Sequence, residues 1–143
     1  MIAAAPVPAC RAEVLDVRLG RSDGAAGTIF YPIIFTNSGP VRCSLRGYPG
    51  VSSVDARGHQ IGAPAERQPP TTVRTVVLAP RGSATAVWGV PQALNFPRSS
   101  CHPVTARAVR VYPPNETRSR ILALRHLVCS SRAEGASVIR QVR

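Results

Sequence analysis

The amino-acid sequence predicts an all-β protein, an antiparallel β-sandwich, and two observations support that class. The 143 residues include 14 prolines and 11 glycines, a density that interrupts long helices and supplies many turns. Short segments rich in β-branched and aromatic residues recur between these turns, and this spacing is typical of a β-sandwich. The length is that of one domain, and we divide the chain into a flexible lead-in over 1–9 and a single domain over 10–143.

The N-terminal half of the chain contains the clearest strand patterns. Apolar and polar residues alternate over 15–19, which predicts a half-buried strand. Residues 21–27 are rich in serine, aspartate and glycine and are expected to form a turn. Residues 28–36 are apolar on both faces and predict a central strand, with Pro32 at a bulge or an edge. Shorter strands are expected at 43–45 and in a hairpin of 51–55 with 59–62.

The C-terminal half predicts further strands and contains one ambiguous segment. Strands are expected at 72–78, 84–90 and 104–112. The segment 117–128 fits a helical face, because the apolar residues 121, 124 and 127–128 recur at helical spacing. It fits a strand equally well, because residues 122, 124 and 128 share one parity. Residues 137–142 are expected to form a last edge strand.

Strand parity also predicts which side chains form the core. In each strand, the positions that face inward alternate with polar or small neighbours. The predicted buried set is Leu15, Val17, Leu19, Ile33, Phe35, Trp88, Val109 and Val111.

The four cysteines, Cys10, Cys43, Cys101 and Cys129, are widely spaced and form no CxxC pair. An even number of dispersed cysteines in a loop-rich chain predicts two disulfides and an oxidising compartment. Spacing alone leaves three connectivities open. Position along the strands favours Cys10–Cys43, which would attach the N-terminal strand, and Cys101–Cys129, which would close the C-terminal half.

A zinc site is the alternative use of the two C-terminal cysteines. Cys101-His102 together with His126 and Cys129 supply two thiolates and two imidazoles, which suit a tetrahedral zinc ion. In an exported protein a disulfide is the expected outcome. We therefore predict no metal and no other cofactor.

The charge of the chain is strongly positive. All 18 basic residues are arginine, against seven acidic residues, and the formal net charge is +11. Such a balance suits a polyanionic partner or merely maintains solubility, and the scattering of the arginines favours the second reading. The densest basic region is a candidate anion-binding stripe formed by Arg107, Arg110, Arg118, Arg120 and Arg125.

The sequence lacks common signatures of catalysis. It contains no GxSxG motif and no glycine-rich phosphate loop. The seven acidic residues lie mostly at turns or alternate outward, and the histidines are His59, His102 and His126. We therefore expect a protein that is not an enzyme.

The N-terminal residues MIAAAPVPAC contain no basic region and only a short apolar stretch. They do not form an intact signal peptide, so we expect an exported chain from which the leader is absent. Lipidation of Cys10 is an alternative, although it would leave an odd number of cysteines. No apolar run approaches the roughly 18 residues that a membrane-spanning helix needs.

Several motifs together resemble one protein family. They are an FTN-G turn at 35–39, Cys43 followed by L-GYPGV at 45–51, LAP-G-A at 78–84, and C-P-T---VRVYPP at 101–114 before Cys129. Over residues 10–143 this set resembles an actinobacterial family of exported, often lipoprotein-associated domains that are described only as a domain of unknown function.

The resemblance implies an immunoglobulin-like β-sandwich outside the cytoplasm, with a strand over 117–128. It supplies no catalytic residue, because none is established for the family. We therefore expect an exported, non-enzymatic interaction module at the cell envelope, with an unknown protein or envelope component as its partner. The alternative is an arginine-rich polyanion binder. Its ligand would be an anionic wall polymer or nucleic acid, and the binding would be weak and unspecific.

Overall fold

A computed structural model describes residues 6–69 and 72–143, and predictions that fall on residues 1–5, 70 and 71 lie outside this part of the chain. Within the described residues the chain forms eleven β-strands and three short helical turns. The strands are β1 (Leu15–Leu19), β2 (Asp23–Ala25), β3 (Thr28–Asn37), β4 (Cys43–Arg46), β5 (Gly50–Val54), β6 (Glu66–Arg67), β7 (Thr75–Leu78), β8 (Ser83–Pro91), β9 (Pro103–Tyr112), β10 (Arg120–Cys129) and β11 (Val138–Ile139). The helical turns are Ala12–Val14, Ala93–Asn95 and α1 (Arg98–Cys101).

One layer of the protein is a sheet that contains six strands among the described residues. Its order is β1-β3-β8-β11-β6, and β2 also pairs with β3. The longest pairing joins β3 to β8, antiparallel from Thr28 opposite Pro91 to Thr36 opposite Ser83. β11 pairs antiparallel with β8 and parallel with β6. The expectation of an edge strand at 137–142 is therefore wrong, because β11 lies between two neighbouring strands.

The remaining strands form two smaller sheets, of which the three-stranded one is the opposite layer. β10, β9 and β5 pair antiparallel in that order, and β4 pairs antiparallel with β7. The segment that sequence alone left open is a strand, since β10 runs from Arg120 to Cys129 and includes residues 120–128 of that segment. The all-β, mainly antiparallel class predicted from the sequence is confirmed.

Both layers contribute side chains to one hydrophobic core. Seven of the eight side chains predicted to be buried are buried, and Trp88, Phe35 and Ile33 have no exposed surface. Leu19 is only partly buried, because it is the last residue of β1 and packs at the margin of the core. Trp88 is the largest of these side chains, and its ring centroid lies 5.3 Å from that of Tyr31.

Pro32 lies inside β3, opposite Val87 of β8. β1 pairs with β3 from residue 33 onward and β2 pairs with residues 28–30, so Pro32 faces the gap between them. Its carbonyl accepts the N–H of Gly20 at 2.7 Å. Because the nitrogen and carbonyl of one strand residue point to the same edge, the missing proline donor also faces this gap and costs no bond to β8.

Three local predictions need correction. Part of the expected turn at 21–27 is the short strand β2, which pairs with the start of β3. The expected hairpin of 51–55 with 59–62 consists of β5 and a single bridge between Val54 and Gln60. The strand expected at 72–78 begins at Thr75, as β7.

Both predicted disulfides are confirmed. Cys10–Cys43 joins the N-terminal segment to β4, and Cys101–Cys129 joins α1 to the end of β10. The sequence separations of 33 and 28 residues correspond to a stabilisation of about 3–4 kcal/mol each by loop-closure entropy. Ser44 donates its N–H to the carbonyl of Pro8 at 2.8 Å, so the end of the expected lead-in runs beside β4.

Replacement of Trp88 by Ala tests the packing of the core. The variant should lose about 3–5 kcal/mol of unfolding free energy, because a large, fully enclosed aromatic side chain leaves a cavity. Urea denaturation followed by far-ultraviolet circular dichroism measures this loss. The exposed Val41 provides the control, since Val41→Ala should change the free energy by less than about 0.5 kcal/mol; equal midpoints for the two variants would contradict the packing described above.

Candidate functional site

Two of the five arginines of the predicted stripe contact the N-terminal segment. Arg118 lies 3.4 Å from the carboxylate of Glu13, and both side chains are exposed. Arg120 donates through Nη2 to the carbonyl of Ala12 at 2.7 Å. These two guanidinium groups therefore attach the start of β10 to the helical turn at 12–14.

Arg110 lies at the centre of the same sheet, where neighbouring groups hold it. Its Nη1 donates to the carbonyl of Gly58 at 3.3 Å, and its Nη2 donates to Oε1 of Gln60 at 3.4 Å. The guanidinium also lies 5.9 Å from the ring centroid of Tyr112, a distance that suits a cation–π contact. Arg110 is only partly exposed.

Arg107 and Arg125 are exposed and come together at a β-bulge. The register between β10 and β9 shifts there, because Ala123 faces Ala108 while His126 faces Ala106. Two residues of β10, Leu124 and Arg125, therefore lie opposite Arg107. The five predicted arginines thus occupy three different settings on this layer.

A groove opens beside this bulge, between β10 and the residues that follow β8. Its volume is about 280 Å³, and its lining is mostly apolar, with side chains from β3, β8 and β10. We call it the His126 groove; its lining includes Ile29, Tyr31, Leu94, Arg125, His126 and Leu127. Leu94 is 64% exposed and Leu127 is 37% exposed.

His126 forms the floor of this groove through a buried hydrogen-bond network. Its Nδ1 lies 2.9 Å from the carbonyl of Leu124, and its Nε2 lies 2.8 Å from Oγ of Ser53. Because a carbonyl only accepts, Nδ1 carries the proton and Nε2 accepts the serine hydroxyl. Burial removes water from the ring and lowers the pKa of His126 below its usual 6.5. The ring also meets Trp88 edge-on, with centroids 5.5 Å apart.

A serine bonded to a histidine is also the arrangement of a nucleophile and its base. Sequence reasoning missed Ser53, although its parity in β5 places it on the inward face together with Val51. The cavity at Ser53 has a volume of about 10 Å³, which is room for about one water molecule.

A second opening lies on the other layer, beside the last residues of the chain. We call it the arginine cleft; its volume is about 340 Å³ and its lining includes Gln68, Thr72, Arg74, Arg140, Gln141 and Arg143. Sequence reasoning missed this grouping, because Arg74 and Arg140 are distant along the chain. The pairing of β11 with β8 and β6 brings these residues together, and no local sequence pattern predicts that pairing.

Taken together, these features define a disulfide-bonded, β-rich domain with two open clefts. The two disulfides indicate an oxidising, extracytoplasmic environment. Among the described residues, no helix is long and apolar enough to cross a membrane.

Residues 10–140 match the family described as Domain of unknown function (DUF4232), and the chain belongs to that family. The comparison with curated proteins and the comparison with solved structures gave no match.

The lowered pKa of His126 predicts a pH dependence of stability. Below about pH 6.5 the imidazole of His126 binds a proton in the unfolded chain but stays neutral in the folded protein. The free energy of unfolding therefore decreases as the pH falls towards the folded-state pKa. One titrating group contributes a slope of at most about 1.4 kcal/mol per pH unit. Denaturation of the wild type and of His126→Gln between about pH 6.5 and about pH 5 measures this difference.

The exposed His102 provides the matched control for this experiment. His102 has a left-handed backbone, with φ of 48°, and asparagine tolerates that conformation. His102→Asn should retain the wild-type slope, whereas His126→Gln should flatten it. The same slope in His126→Gln and the wild type would show that burial of His126 does not govern the titration.

Proposed function

We propose that this domain is an exported, non-enzymatic binding module of the cell envelope, with an immunoglobulin-like sandwich as its scaffold. The observation that carries the proposal is the His126 groove, which leaves Leu94 64% exposed within a concave, mainly apolar surface. A few polar groups in a mostly apolar depression are typical of binding sites. Two disulfides support the extracytoplasmic location.

The chemistry of the groove suits a partner with a particular surface. Apolar side chains of the partner would cover Leu94 and Leu127, and that burial provides the favourable free energy. Arg125 lies in the same lining and suits a carboxylate next to the apolar group. The partner that fits is an envelope protein with an apolar side chain beside an acidic one.

The buried Ser53–His126 pair fits a structural role beneath the groove. Its hydroxyl donates to the imidazole, and the imidazole donates to a main-chain carbonyl. Both ring nitrogens therefore have partners inside the protein. The pair fits the role of a polar contact that fixes the floor of the groove.

A substitution at Leu94 tests the groove. Leu94→Ser should reduce capture of envelope proteins from a native-host extract about tenfold, because a buried apolar contact contributes about 1.5–3 kcal/mol. The matched control is Val77→Ser on β7, since Val77 is 52% exposed and lies outside the groove. Immobilised protein and quantitative mass spectrometry measure the captured amounts. Equal capture by the two variants would place the binding surface elsewhere.

A second candidate function is the binding of polyanions, and one observation favours it. The chain contains eighteen arginines and only seven acidic residues. Among the described residues, the single arginine–carboxylate ion pair joins Arg118 to Glu13. Arg107 and Arg125 are exposed at the bulge. They are the members of the predicted stripe that suit phosphate contacts best.

Salt dependence tests this second candidate. If both bulge arginines contact phosphates of a short DNA duplex, the slope of log affinity against log salt should become shallower by about 1–2 in the variant Arg107→Gln/Arg125→Gln. The exposed residues Arg21 and Arg42 provide a control with the same loss of charge, since Arg21→Gln/Arg42→Gln should leave the slope unchanged. Fluorescence anisotropy measures both slopes. An equal change in the two variants would mean that net charge alone governs binding.

A further inference from the structure

The arginine cleft is a separate feature of the other layer, and its position follows from the end of the chain. After β11 the backbone continues along β8, where Arg140 donates its N–H to the carbonyl of Val87 at 3.0 Å. Further on, Arg143 and Thr85 exchange two main-chain hydrogen bonds of 3.0 and 2.9 Å. Arg140 and Arg143 are thereby fixed along one edge of the cleft.

One side chain connects this edge to the opposite wall. Oε1 of Gln141 accepts the main-chain N–H of Arg74 at 2.9 Å. Its Nε2 donates to the carbonyl of Thr72 at 2.8 Å. The amide of Gln141 therefore holds Arg74 across from Arg140, and the three arginines meet around one space.

The arginines of the cleft, Arg74, Arg140 and Arg143, have no acidic side chain paired with them in the part of the chain that the structure describes. The residues outside that part of the chain are Met, Ile, Ala, Pro and Thr and add no acidic side chain. Arg140 donates through Nε to Oε1 of Gln68 at 3.0 Å, which orients its guanidinium, and the two terminal nitrogens form no hydrogen bond with the residues that the structure describes.

We propose that the arginine cleft binds a polyol phosphate, that is, a phosphate ester of glycerol or of a sugar. Three guanidinium groups around one space match the oxygens of a phosphate, because each presents a planar fork of donors. A volume of about 340 Å³ exceeds what a phosphate group alone would fill. The neutral polar residues Gln68 and Thr72 suit the hydroxyl groups of the remaining part.

This inference rests on the polyanion-binding candidate only for the sign of the ligand charge, and it names a different surface. The bulge arginines Arg107 and Arg125 lie on the other layer. A failure of one proposal is therefore distinguishable from a failure of the other, since each has its own ligand and its own variants.

Isothermal titration of the full chain with glycerol 3-phosphate tests the site. The wild type should show saturable binding, and Arg74→Gln and Arg140→Gln should each weaken it about tenfold or more, because each removes a charge-assisted contact. Arg107→Gln removes the same charge elsewhere and should weaken binding less than about twofold. All three arginines are exposed, so melting temperatures should stay close to that of the wild type.

Three results would overturn the proposal. They are the absence of saturable binding in the wild type, an equal loss in Arg107→Gln, and equal affinity for glycerate, in which a carboxylate replaces the phosphate ester.

Two further experiments separate the natural sources of the ligand. Competition by soluble poly(glycerol phosphate) assigns the ester to a polymer, whereas retention on phosphatidylglycerol vesicles assigns it to a lipid headgroup, and either result supports the site provided that Arg140→Gln abolishes it.

Discussion

The antiparallel pairing of β3 with β8 is the interaction on which the rest of the structure depends. It places Tyr31 opposite Trp88 and so positions the two largest aromatic groups of the core. The end of β8 lines the His126 groove, whereas its middle and start hold the residues that border the arginine cleft. Both candidate sites therefore derive their geometry from one strand, which is buried on its inward face.

The features that the sequence predicted are those that depend on local parity. Trp88 and Val109 were predictable as core residues because alternation along one strand determines which face a side chain occupies. The arginine cleft was not predictable, because it requires the insertion of β11 between β8 and β6. The contacts of Arg110 were not predictable for the same reason. Parity places its side chain outward, but its hydrogen bonds to Gly58 and Gln60 depend on a loop that is distant in the sequence.

Two exposed apolar residues in β10 explain why its sequence fitted two structures, because Ile121 and Leu127 complete the helical pattern but lie on the outward face of the strand. The inward positions are Leu122, Leu124, His126 and Val128. His126 also interrupts the apolar pattern of the inward face. Its burial is explained by the hydrogen bond with Ser53, which lies far away in the sequence. Long-range pairing resolves an ambiguity that periodicity within the segment cannot resolve.

The position of β11 has a consequence for the order in which the chain can fold. β8 contains no charged residue, and one of its edges stays unpaired until residues 138–143 arrive, some fifty positions later in synthesis. A long uncharged edge of this kind promotes association between chains. The sheet is therefore complete only when residues 138–143 are in place, and until then a half-made sheet can pair with its own copies.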